Sequence, residues 1–466
     1  MNKVVSKIVP ISIIAIMFFA MGCKKKEQTD LSKAFVKYYG GLKADNASTV
    51  LQTSDGGYVI AGTSTNGPSA DIIIVKTDAD GNESWHQTFG GPNYDECGSV
   101  AIMPDGGYIL IGTYGITSRV WNVNSLQTSL DSTVMYAVRL DASGNTVWTQ
   151  QYPYSSPNVK IGTFGKSVVA NSNGQCMMAG MVDSSYNTTI NLDVFAFLIG
   201  TDGTILQVLN TATNTMVPMK PLTYGVSNAA DIVYNAIASV TNNNNEYLIS
   251  SVTNISGLNT PRVIPFRLNG IAFTQSNAPT KSDWLESTVY DGYQLSSTSD
   301  NNYVLTGTYG NPSITTSNTN TLTNTNIPTS SSIYMIKLNS STLSNMNFWT
   351  YGNAQGGYFS QGISVIATSD GGYAILANSN DPAFTGNTDK LIDVILIKTD
   401  QNGVQQWFQD FGGRGNDAAS KLIQTSDGGY LICGTIAFGE DATNTGTSNA
   451  MTLIKVDSQG NISNIK

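Results

Sequence analysis

The stretch TSDGGYVIAGTS, Thr53 to Ser64, returns almost unchanged as TSDGGYLICGTI at Thr425 to Ile436, and MPDGGYILIGTY (Met103 to Tyr114) and TSDGGYAILANS (Thr368 to Ser379) stand between them. With the tyrosine of DGGY as a marker, eroded copies follow at SNGQC (Cys176), NNNEY (Tyr247) and SDNNY (Tyr303), giving seven copies 50 to 71 residues apart. A period of that size holds one small sheet per unit. In the first unit a strand ends near Thr53, Asp55 to Gly57 form a turn, and YVIAGT is a second strand. The third strand is DIIIVKTD (Asp71 to Asp78), ADGN is the next turn, and ESWHQTF (Glu83 to Phe89) is the fourth. Both turns use Gly, Asn and Asp because tight hairpins that match strand twist need positive φ. Four antiparallel strands per unit make a propeller blade, so the expected fold is all-β, a seven-bladed β-propeller over residues 35–466.

A ring of blades has to close. FVKYYGG (Phe35 to Gly41) aligns without gaps on WHQTFGG (Trp85 to Gly91), a fourth strand and its loop, whereas the seventh copy runs out at TLIKVDSQGNISNIK. The N-terminal strand is therefore expected to supply the outer strand of blade seven.

Composition agrees with this and excludes some partners. The 466 residues are 40% hydrophobic and only 12% charged, with 45 Gly, a balance that favours short strands and turns over charged helices. The formal charge is -9. Binding a nucleic-acid backbone takes clustered Lys and Arg, so nucleic acid is excluded as a partner. Cys97, Cys176 and Cys433 lack the close spacing of a zinc or redox motif and read as small buried hydrophobes.

The first 34 residues read as an address and a tether. MNKVVSK carries two lysines, an apolar run follows, and Ala20-Met21-Gly22-Cys23 closes it. That segment resembles the lipobox of bacterial lipoproteins, which implies cleavage after residue 22 and acylation of Cys23. Residues 1–22 are then a signal peptide and residues 23–34 a lipidated, flexible tether. Lys24 is not the aspartate linked to inner-membrane retention, so the outer membrane is the expected location. The DGGYxIxGT and IKxDxxGNxxW pattern is similar to repeat propellers of bacterial lipoproteins and, more loosely, to quinoprotein-like propellers. The resemblance implies a fold and a location, and little function. A quinone or metal cofactor would need a constellation of basic and acidic ligands in the central channel, and none stands out in the sequence, so no cofactor is expected.

Long insertions are expected on one face of the disc: 114–132, 182–192, 309–332, 378–391 and 436–449 between second and third strands, and 211–230 between a fourth and a first strand. Loops on a rigid scaffold commonly carry binding. Trp121, Tyr114 and Tyr309 lie in these insertions and Trp284 in a further inserted segment, and the four are candidate ligand-binding aromatics. Trp85, Trp148, Trp349 and Trp407 share one frame position in the fourth strand and read as blade packing. Asp45, Asp95 and Asp417 stand thirteen residues before their markers and form a candidate acidic rim, able to hold a cation or simply to accept loop amides. DADGN (Asp78 to Asn82) reads as a hairpin rather than a calcium loop, and the single histidine, His86, lacks a nucleophile partner. The expected function is a membrane-anchored binding or scaffold module for a protein or glycan partner. The competing expectation is a glycan hydrolase or lyase that uses the rim carboxylates.

Overall fold

The computed structural model describes residues 34–462, except 41–44, 66–68, 117–132, 157–158, 184–191, 211–214, 219–220, 225–229, 239–245, 256–257, 270–271, 276–288, 311–329, 353–356, 387–390, 413–414 and 439–448. Cys23, Trp121 and Trp284 lie outside the described residues. Seven four-stranded antiparallel sheets form a seven-bladed β-propeller. The innermost strands are Asp45–Gln52, Tyr94–Ile102, Thr163–Ala170, Ala230–Ala238, Val289–Ser297, Ser360–Ala367 and Ala418–Gln424. Each touches the next around the ring, and the last returns to the first. Phe35–Tyr39 completes blade seven as expected, lying antiparallel to Asn449–Val456 with Phe35 opposite Lys455 and Tyr39 opposite Met451.

The core lies between blades rather than inside one. Ile60 packs with Leu431, Cys433 and Leu453 toward blade seven, while Val59 and Ala61 pack with Val100, Leu110 and Val138 toward blade two. Alternate residues of one strand thus serve two cores, which is why second and third strands carry apolar residues on both faces. Outer strands such as Glu83–Phe89 are largely exposed. Cys97, Cys176 and Cys433 are buried free thiols.

The repeat marker is architecture throughout. Asp55 accepts from Gly57 N at 3.0 Å and pairs with Lys76 Nζ at 2.8 Å, so the turn between first and second strands is locked to the third strand. The same lock joins Asp105 to Arg139, Asp300 to Lys337, Asp370 to Lys398 and Asp427 to Lys455. By register, blades three and four carry Leu198 and Pro265 at the lysine position, and blade three carries Asn173 at the aspartate position. The marker tyrosine packs against the outer aromatic of the preceding blade: Trp85 on Tyr108, Trp349 on Tyr373, Trp407 on Tyr430, and Phe35 on Tyr58. These outer aromatics also cover the next blade's turn glycine. A Cβ on Gly403 would sit 2.4 Å from Trp349, and Gly403 also has φ +76°. Gly62 stands so close to the inner strand that a Cβ would lie 2.2 Å from Asn46 O. Thr63 then accepts the amide of Cys97 in the next blade at 3.0 Å, as Thr435 does for Ala47 at 3.1 Å.

Blade three corrects one expectation. Its outer edge starts at the Ile199–Ile205 bridge, leaves as a hairpin of Gln207–Asn210 with Thr215–Pro218, and resumes as Leu222–Tyr224 beside Val194–Ala196. The insertion at 211–230 therefore begins within the fourth strand, not after it. The reason is local: QVLN and TMVP pair with each other, and the edge strand has only one sheet neighbour to hold it. Among the described residues the one α-helix is the single turn Pro382–Thr385, capped by Asp381, and no helix is long and apolar enough to cross a membrane.

Candidate functional site

Second-to-third and fourth-to-first connections share one face of the disc, called here the loop face. The acidic rim sits on it. Asp45, Asp95 and Asp417 are all buried, and each reaches an amide twenty residues on: Thr65 at 3.2 Å, Gly115 at 2.8 Å and Ala437 at 2.8 Å. Asp95 also accepts from Gly91 N at 2.6 Å. Burial raises the Asp95 carboxyl above its ordinary range, against the pull of those two amides. Asp231 of blade four, buried and bonded to the Thr253 hydroxyl, is a further member that the eroded marker hid. The three rim acids face their own loops, and among the described residues no three His, Cys, Asp or Glu side chains converge as a metal site.

Tyr114 and Tyr309 turn out to be strand residues, in Tyr108–Ile116 and Tyr303–Tyr309, not loop residues. Tyr114 packs on Tyr136 with centroids 5.5 Å apart, and Tyr309 packs on Phe348 at 5.6 Å. His86 is exposed on an outer strand, 2.6 Å from Glu83. The DADGN turn is a hairpin: Asp78 accepts Asn82 N at 2.8 Å and Asp80 N at 3.0 Å.

The feature that varies from blade to blade lies at the axis. Every innermost strand carries a β-bulge in its loop-face half, which skips Ser48, Gly98, Lys166, Tyr234, Tyr293, Ile363 and Ser420 in the pairing register. Bulges re-aim side chains and recur beside active sites. All seven residues are half-buried, and most of their neighbours are buried. They touch from blade to blade: Ser420 Oγ donates to Ala47 O at 2.6 Å, Ser48 Oγ to Cys97 O at 3.2 Å, and Lys166 pairs with Glu96 at 2.9 Å. Tyr234 and Tyr293 have centroids 4.4 Å apart, and Gln361 donates to the Tyr293 hydroxyl. The position is constant and the side chain is not.

The next residue along is a staple. Ser99, Ser167 and Ser364 accept the amides of Val168, Ala236 and Leu422 in the following blade at 2.9, 3.0 and 3.0 Å, and Asn235 accepts that of Leu295 at 3.0 Å. In blade five the corresponding Gln294 is buried with Oε1 unpartnered. In blade seven the residue is Lys421, which cannot accept at all. Sequence reading missed this ring, although a signal existed. In six blades the bulged residue stands ten before the marker, and that column reads Ser, Gly, Lys, Tyr, Ile, Ser among otherwise repeated neighbours.

No protein-family model matches the chain, and no curated protein matches it in sequence. Among solved structures, an ulvan lyase of a polysaccharide lyase family aligns at 10% identity and TM-score 0.49, over 91% of this chain and 97% of that one. The periplasmic gluconolactonase of Pseudomonas aeruginosa aligns at 12% and 0.45, over 86% and 97%. Sqt1 of Chaetomium thermophilum, bound to the N-terminus of a ribosomal protein, aligns at 9% and 0.42, over 90% and 98%. At these values no residue role or activity transfers, and the propeller assignment stands on strand pairing alone.

Proposed function

We propose that this protein is a lipid-anchored propeller of the bacterial outer membrane that binds a glycan, without catalysis, at the loop-face end of its axial ring. The observation that carries the reading is the Tyr234–Tyr293 pair, half-buried and bridging blades four and five, with the Gln361 amide on one hydroxyl. Aromatic faces pack on the apolar faces of sugar rings, and nearby amides and hydroxyls bond their substituents. A fixed bulge with a variable side chain is the arrangement a binding ring needs. The catalytic alternative is weaker because Asp45, Asp95 and Asp417 are buried and turned to loop amides. The anchor is read from Ala20 to Cys23. Two experiments test the proposal. Incorporation of labelled palmitate is lost in Cys23→Ser if the anchor is real. An oligosaccharide array probed with the wild-type protein and with Tyr234→Ala and Tyr293→Ala variants should show binding that both substitutions abolish, with the bound sugars recovered uncleaved. Undiminished binding by both variants, or cleavage products, would overturn the assignment.

A further inference from the structure

Lys421 stands where four other blades place an accepting Ser or Asn that staples the next blade. It lies one residue past the bulge at Ser420, opposite Cys433, at the seam between blades seven and one. The side chain is half-buried and has no hydrogen-bond or ion-pair partner among the described residues. The one lysine among the bulged residues, Lys166, is already neutralised by Glu96 at 2.9 Å. A lysine here contributes nothing to the staple and costs desolvation, so the fold gives no reason for it. Resting on the glycan reading above, we propose that Lys421 holds the carboxylate of an acidic sugar, so that the axial ring selects uronate-containing glycans over neutral ones.

Two further observations support this. Blade six alone separates Lys421 from Tyr293, and its Gln361 already bonds the Tyr293 hydroxyl, so charge, amide and aromatic faces follow one another around the ring. Burial is also the sole cause lowering the Lys421 ammonium, to about 8, with no carboxylate acting on it. An incoming carboxylate would supply the partner that is missing.

The test uses the full-length, detergent-solubilised protein with hexagalacturonate and its neutral methyl ester as probes, and binding is followed by calorimetry. The acid should bind about tenfold tighter than the ester, the factor a charge-assisted hydrogen bond brings. Lys421→Met should erase that preference and leave ester binding intact, whereas Lys421→Arg should keep it. An acid preference that survives Lys421→Met overturns this proposal and leaves the glycan reading standing. Failure of the wild-type protein to bind either sugar, or binding of both unchanged in Tyr293→Ala, overturns the two together. A measurement on the unmutated protein removes any question of misfolding. Hexagalacturonate should slow acetylation of Lys421 by acetic anhydride, read by peptide mass spectrometry, and the ester should slow it less. Equal rates with and without the acid would count against the proposal.

Discussion

Asp370→Asn tests the turn lock, because the protein contains its own control. Lys398 is 3% exposed and Asp370 59%, and they meet at 2.8 Å. Lys398 Nζ also donates to Thr399 O at 2.8 Å. An exposed pair contributes up to about 1 kcal/mol, while stripping the partner from a buried charge costs about 3–5 kcal/mol. With one member buried and the other screened by water, losing Asp370 should cost roughly 2 kcal/mol. Lys398→Leu, which only releases an exposed carboxylate, should cost about 1 kcal/mol. The double variant installs the Asn and Leu that blade three carries as Asn173 and Leu198, and should be more stable than Asp370→Asn alone, with a coupling of about 2 kcal/mol that leaves the pair costing about 1 kcal/mol. Urea titrations followed by tryptophan fluorescence at pH 7 measure all four corners. Acid adds a second check. Burial alone would raise Asp370, but hydrogen bonds from Lys398, Thr368 and Gly372 outweigh it and bring the group down to about 2. The folded state therefore holds this proton less readily than the unfolded chain. The lock's contribution is complete above about pH 4 and fades as the pH falls toward 2, where the wild-type protein and Asp370→Asn should converge. A double variant no more stable than Asp370→Asn, or a gap that persists unchanged at pH 2, would refute the reasoning.

Gly62→Ala should cost about 2 kcal/mol in the same titration, since its Cβ would stand 2.2 Å from Asn46 O and 2.5 Å from Met451 Sδ. Gly371→Ala, with φ +84° and nothing within 4 Å, should cost only about 1 kcal/mol. Trp407→Phe should be nearly neutral because Phe35 fills the same role in the closing strand, whereas Trp407→Ala should cost about 3 kcal/mol, and equal melting temperatures for the two would count against the packing role. Lys421, with its folded value near 8 against 10.5, keeps its proton less tightly when folded. Stability should therefore rise with pH between those values, and Lys421→Met should remove the rise while stabilising the protein at pH 7 by about 1–2 kcal/mol, discounted for the side chain's half exposure.

Fold and closure were legible because the marker's residues each meet a requirement of the blade: a carboxylate for the turn lock, an aromatic for the preceding tryptophan, a glycine opposite the bulge, a threonine for the next blade's amide. Repetition made those requirements visible. The outer edge of blade three was not legible, since an edge strand has one neighbour and a self-pairing hairpin can displace it without disturbing the three strands inside. The axial ring was hidden for the opposite reason. Its backbone position is fixed by register, which sequence does not print, while its side chains differ in almost every blade. Asp45, Asp95 and Asp417 were found because they repeat, but repetition left open a cation rim or loop fastening, and the structure shows each on a loop amide. Tyr234 was harder still, because it stands thirteen residues before Tyr247 rather than ten and so falls out of column.

Residues Phe35–Tyr39 are hydrogen-bonded along Asn449–Val456, so the earliest strand of the ring to be synthesised must wait for the final one. Until then that segment has no place to lie, and blade seven lacks both of its outer two strands. Assembly therefore ends in a single late event that joins the first and last strands of the ring. A chain broken off before residue 449 would leave the first strand without its partner and the ring open, a state that a protease can distinguish from the finished disc.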